Sequence, residues 1–148
     1  IGSRITDVGA RNYIYGEWKT PTFAAGNFTA GGTQTWTVAS GDVATYQYCV
    51  VGKIMTLAFS LNTTTVGGVA HTDLRIAIPS GFVGNKSTIG VFTYSDNAGA
   101  EAFGSWSTAV GVAYLTLHKG ASIINTNGNW TAATDATYIY GIATFEVI

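Results

Sequence analysis

Charge is what this chain has least of. Charged residues make up 10% of its 148 residues, 7 basic against 8 acidic, for a net charge of −1; a globular domain usually carries about 25%. There is no basic run or stripe, so the electrostatic footprint of a nucleic-acid binder is missing and no nucleic-acid partner is expected. No apolar run approaches the ~18 residues that read as a membrane-spanning helix, so no membrane insertion is expected. Cys49 is the only cysteine. Neither an internal disulfide nor a cysteine-based zinc site can form. In Tyr46-Gln47-Tyr48-Cys49-Val50-Val51 it falls opposite the face of Tyr46, Tyr48 and Val50. It reads as a small buried hydrophobe, since a nucleophile would need His71 or His118 beside it.

What fills the chain instead is apolar, aromatic and small. Hydrophobic residues reach 47%, and 4 Trp, 8 Tyr and 7 Phe rule out the aromatic-poor composition of a disordered chain. Gly (19) and Thr (22) take the places charge leaves. The length fits one domain that buries roughly 70% of its unfolded surface in a single core. Scarce charge weakens colloidal repulsion, which suits a protein whose surface is partly covered by other subunits. The chain starts Ile1-Gly2-Ser3, without Met or a signal-peptide pattern, and ends in a strand-like run. It is therefore expected to be the distal part of a longer polypeptide, with 1–17 as an arm or connector and 18–148 as the folded domain.

Period-two patterning dominates. Met55, Leu57, Phe59 and Leu61 alternate with Thr56, Ala58 and Ser60; Leu74, Ile76 and Ile78 alternate with Arg75 and Ala77. Near the end, Ile139, Gly141, Ala143, Phe145 and Val147 alternate with Tyr138, Tyr140, Ile142, Thr144 and Glu146. Strands are expected at 33–38, 45–51, 54–61, 74–78, 88–94, 110–118, 121–124 and 138–148. Loops are expected at 62–72, 95–104 and 125–134, with Pro79 ending a strand because it cannot donate to a ladder. About eight strands and no helix predict an all-β antiparallel sandwich, jelly-roll-like. Ile54 beside Met55 and Ile142 opposite Ile139 give some strands a second apolar face, the mark of subunit contact.

The phrase TWTV, GDV, TYQYCVVGKIMTLAFSL, TTVGG, LRIAIPSGF resembles the C-terminal β-sandwich knobs of bacteriophage tail-fibre and virion-appendage proteins. The matching positions are Tyr48, Gly52, Lys53, the strand 55–61, the loop 63–68, the strand 74–78, Pro79 and Gly81, within residues 18–82. The resemblance implies a homotrimer beside other virion proteins at the virion surface. Its role there is structural, or is attachment to a host-surface glycan or receptor protein, without catalysis or cofactors. Residues 83–148 add only the all-β pattern.

Two polar loops tipped with aromatics are the candidate binding residues: Tyr94, Asp96, Asn97, Glu101 and Trp106, then Asn125, Asn127, Asn129 and Trp130. Aromatic rings stack on sugars while Asn and Asp read hydroxyls. The competing reading has the tryptophans plugging the ends of the sandwich and the asparagines shaping turns. A second function class, a carbohydrate-binding module of a secreted protein, would use Trp18, Trp106 and Trp130 as its platform. Asp96 with Glu101 is the one carboxylate pair suited to glycoside hydrolysis, a pairing chance readily produces among eight carboxylates. Asp96-Asn97 lacks EF-hand spacing, and His71-x-Asp73 places two side chains on one strand face, so no metal is expected. Four sequons, at Asn27, Asn62, Asn85 and Asn129, follow largely from the Thr content.

Overall fold

The structure is a computed structural model that describes residues 16–120 and 128–148. Nine strands are described: β1 (Phe28–Ala30), β2 (Gln34–Thr37), β3 (Val43–Val51), β4 (Ile54–Gly68), β5 (Asp73–Ala77), β6 (Thr88–Ser95), β7 (Ala102–Thr108), β8 (Tyr114–Lys119) and β9 (Ala133–Glu146). All the strands pair antiparallel, in the order β1-β5-β8-β7-β6-β9-β4-β2, with β3 also on β4. The pairs β4·β9, β5·β8 and β6·β7 are nested one inside the next. A ribbon of nested pairs rolled on itself is the jelly-roll arrangement, and β6 against β9 completes the roll. The sheet nearly closes where Phe28 of β1 meets Trp36 of β2 edge-on, ring centroids 5.7 Å apart. The architecture is thus the all-β antiparallel sandwich the alternation predicts.

Alternation also decides the core. Met55, Leu57, Phe59 and Leu61 of β4 point inward with Leu74, Ile76 and Ile78, Leu115 and Leu117, and Ile139, Ala143, Phe145 and Val147. Burying each large side chain contributes about 1.5–3 kcal/mol. Gly141 has a packing reason: a Cβ there would lie 2.8 Å from the Phe59 ring and 2.9 Å from Phe92.

The structure corrects several boundaries. The Thr/Gly stretch expected as a loop from 62 is the second half of β4, which runs to Gly68. Thr64 is fully buried there: its hydroxyl donates to the Thr137 carbonyl at 2.8 Å and accepts the Trp36 indole N–H at 2.9 Å. A threonine satisfied in this way behaves as a β-branched core residue. β7 replaces the end of one expected loop, and β1 is an added strand. β8 begins at Tyr114 because the chain turns through Gly111 at φ +74°. The short strand expected at 121–124 and most of the arm at 1–17 lie outside the described residues. Cys49 is half-buried on the outer face, not in the core, across from Thr56.

Candidate functional site

Parts of the two predicted loops meet, with their aromatic rings turned inward. Asp96 ties them together: its carboxylate accepts from Lys119 Nζ, from the Thr131 hydroxyl at 2.7 Å and from the Thr131 backbone N–H at 3.2 Å. The Ala98 N–H donates to the Ala136 carbonyl at 2.7 Å and closes the same end. Trp130 then lies at 0% exposure, its indole N–H shared between the Thr72 and Leu117 carbonyls at 3.1 and 3.3 Å. Tyr94 is also buried and meets Trp130 edge-on at 5.1 Å. Trp106 lies mid-β7, buried against Phe145 and over Gly90, whose missing Cβ makes room for the indole.

None of these three rings offers solvent a face on which a sugar could stack. Their burial matches the reading in which tryptophans plug the sandwich. Asn97 is exposed in a turn at φ +54°, a conformation asparagine tolerates. Asn129 is exposed too, and its carbonyl accepts from Lys119 Nζ at 3.0 Å. Glu101 is exposed; together with burial, which acts more strongly, its charge pushes the Tyr140 phenol above the ordinary tyrosine range. Asn125 and Asn127 lie outside the described residues. Of the platform Trp18, Trp106 and Trp130, Trp18 alone is exposed, at 52%.

A second polar cluster escaped the sequence reading in part. Asp73 accepts from the Thr72 hydroxyl at 2.7 Å and faces three bases: His118 Nδ1 at 3.3 Å, Arg75 Nη2 at 3.6 Å and His71 Nδ1 at 3.9 Å. Register brings His118 there, since it lies directly across the β5–β8 ladder from Asp73, 45 positions away along the chain. Among the described residues no group of three or more His, Cys, Asp or Glu is arranged to hold a metal ion.

The outer face of the roll is different in kind. Ile142 of β9 pairs beside Ala58 of β4, and Tyr140 lies between Ser60 of β4 and Thr93 of β6. Val91, Ile89 and Phe103 continue outward on β6 and β7 beside Ser105, Ser107 and Thr93. Ile142 is 63% exposed, Val91 57% and Phe103 68%. Charged side chains border it: Glu146 with Lys86, Lys53 and Glu101, and across the β7–β8 ladder the cluster of His118, Asp73 and Arg75, in register with Ser105 and Ser107. A rigid sheet presenting several exposed large hydrophobes without charge is the surface composition of a packing face.

Comparison with known protein families, curated proteins and solved structures returns no match.

A cavity of ≈ 280 Å³ lies at the edge of β3 away from β4, lined by Pro21, Phe23, Val43, Ala44, Tyr46 and neighbouring polar residues. Tyr46 lines the cavity while its side chain reaches into the core. The phenol donates to the Ala77 carbonyl at 2.7 Å, and burial holds it protonated far above the ordinary tyrosine range. Beside the cavity the segment before β1 pairs with β3 at one point, where Lys19 and Tyr48 exchange both backbone bonds at 2.8 and 3.0 Å.

Proposed function

We propose that this domain is a non-enzymatic assembly module that packs as a homotrimer through its uncharged outer sheet face, as part of a virion appendage at the particle surface. The observation that carries the assembly reading is the exposed row Ile142, Val91, Ile89 and Phe103 on strands held rigid by the nested pairs. Burying such side chains between copies removes apolar area from water at roughly 25 cal/mol per Å². No charge has to be desolvated across the middle of the face, so the cost that limits charged interfaces is absent. The appendage context is supported by the resemblance of residues 18–82 to phage fibre knobs. In that setting Asn97 and Asn129 are the exposed polar side chains of the loop end, available to a host glycan or receptor protein.

The carbohydrate-module reading has less to stand on, because two rings of its platform are buried. Native mass spectrometry and sedimentation equilibrium test the assembly reading. The wild-type protein is expected to run as three 15.5 kDa chains. The double substitution Val91→Lys, Ile142→Lys is expected to run as one, with an unchanged β-sheet circular dichroism spectrum. A wild-type protein that stays monomeric at high micromolar concentration overturns the proposal.

A further inference from the structure

The geometry points to a peptide-binding edge on β3: we infer that the cavity over Tyr46 receives an extended peptide, which adds a strand beside β3 and inserts one apolar side chain between Pro21, Phe23 and Val43. The argument begins with backbone parity. In an antiparallel ladder, residues two apart direct their N–H and C=O to the same side. Tyr48 directs both groups away from β4, to Lys19. The register is regular from Tyr48↔Leu57 to Tyr46↔Phe59, so Tyr46 also directs its N–H and C=O away from β4, toward the cavity.

The chain's own segment stops short of satisfying them. Had the pairing continued from Lys19 opposite Tyr48, position 21 would fall opposite Tyr46; the Gln47 side chain still reaches the Thr20 hydroxyl at 3.1 Å, but the backbone pairing goes no further. Position 21 is proline, which has no N–H to give the Tyr46 carbonyl. No backbone bond joins Tyr46 to residues 16–23. The edge pairing made at Lys19 therefore breaks off at Pro21, and the cavity lies where it breaks off. An added strand continues a pairing the fold already makes.

Size and chemistry select the occupant. At ≈ 280 Å³ the cavity lies just under the roughly 300–1,000 Å³ of sites that enclose whole small molecules, a size suited to one or two side chains. Its lining combines the apolar Pro21, Phe23, Val43 and Ala44 with the uncharged polar Thr20, Ser40, Thr45 and Gln47. A β-branched or leucine side chain flanked by uncharged residues matches it. Strand addition to a sheet edge takes affinity from backbone bonds and specificity from a pocket for alternate side chains; here the edge groups are those of Tyr46, between Tyr48, which Lys19 pairs, and the register shift between Val43 and Thr45, and the pocket is the cavity beside them. The site is separate from the outer sheet face and stands whether or not that face assembles.

Hydrogen exchange by NMR on the full chain tests it, using acetylated, amidated heptapeptides of alternating Thr and Val, Thr and Leu, or Thr and Phe. The Tyr46 amide is expected to exchange about ten-fold more slowly with one of these probes at roughly ten times its dissociation constant. Methylating the edge-facing nitrogens of that peptide is expected to abolish the effect, and so is filling the cavity with Ala44→Trp in a variant whose other amides keep their protection. Unchanged Tyr46 exchange with all three probes at millimolar concentration overturns the inference. Protection that grows with protein concentration in the absence of peptide also overturns it, because the edge then pairs with a second copy.

Discussion

Trp130 shows how a side chain's surroundings decide its role. Its sequence neighbourhood of Asn, Thr and Gly reads as an exposed recognition loop, yet every polar need of the indole is met inside. Thr72 and Leu117 accept its N–H, and Tyr94 and Phe92 pack on its rings. A tryptophan so enclosed stabilises the fold at the end of the roll rather than waiting for a ligand. Trp130→Ala is expected to cost about 3–5 kcal/mol, as for other buried tryptophan truncations. Urea unfolding followed by circular dichroism measures that cost; a loss under about 1 kcal/mol would mean the indole is not the plug described. The residue types in both loops were legible in the sequence, but not their direction. Asp96 could be read as a ligand carboxylate, because nothing in its local sequence shows that Lys119 and Thr131 come to it from 23 and 35 positions away.

At the scale of elements, the stretch after β5 is held to the end of the chain. The Asn85 N–H donates to the Glu146 carbonyl at 2.9 Å, and Val83 and Ile148 exchange backbone bonds at 3.1 Å. Onto this ladder Lys86 and the Asn85 amide add their side chains, both to the Glu146 carboxylate. The Lys86 bond, then the Asn85 bond, holds the Glu146 carboxyl below its ordinary value of 4.5. A carboxyl depressed in the folded state contributes stability that is present above its unfolded pKa and lost as pH falls through the folded one. Stability is therefore expected to decline as pH drops below 4.5, and Glu146→Gln to lower neutral-pH stability by the same small amount and so flatten that part of the profile. Chemical denaturation at a series of pH values reads this directly; parallel acid limbs in the two proteins would rule out the contribution. Elements with clean alternation, such as the first half of β4 and all of β9 after Tyr138, were legible in the sequence because one face is uniformly apolar. The second half of β4 and β7 were not. Thr64 is buried through two hydrogen bonds rather than through hydrophobicity, and Gly104 and Ser105 of β7 are buried without being apolar.

The whole molecule is joined late along the chain. Ile54 pairs with Glu146 and Leu61 with Ile139, so the central ladder closes only after nearly all the intervening residues are placed. β9 also reaches β6, which makes it the strand that joins the two ends of the roll. Closing such long loops costs entropy before any contact offsets it, and folds dominated by non-local pairing refold in milliseconds to seconds. The assembly we propose through the outer face could follow only once β4, β9, β6 and β7 lie side by side, because Ile142, Val91 and Phe103 come from different strands. Refolding from urea is therefore expected to show two phases. The first, in tryptophan fluorescence, reports burial of Trp36, Trp106 and Trp130 and has a rate independent of protein concentration. The second, in light scattering, accelerates in proportion to concentration. The Val91→Lys, Ile142→Lys variant separates the two events, since both substitutions lie outside the core: it is expected to keep the first phase at its wild-type rate and to lose the second. If fluorescence and scattering instead rise together at every concentration, burial of the core and association form a single step, and the roll is not completed within one chain before copies meet.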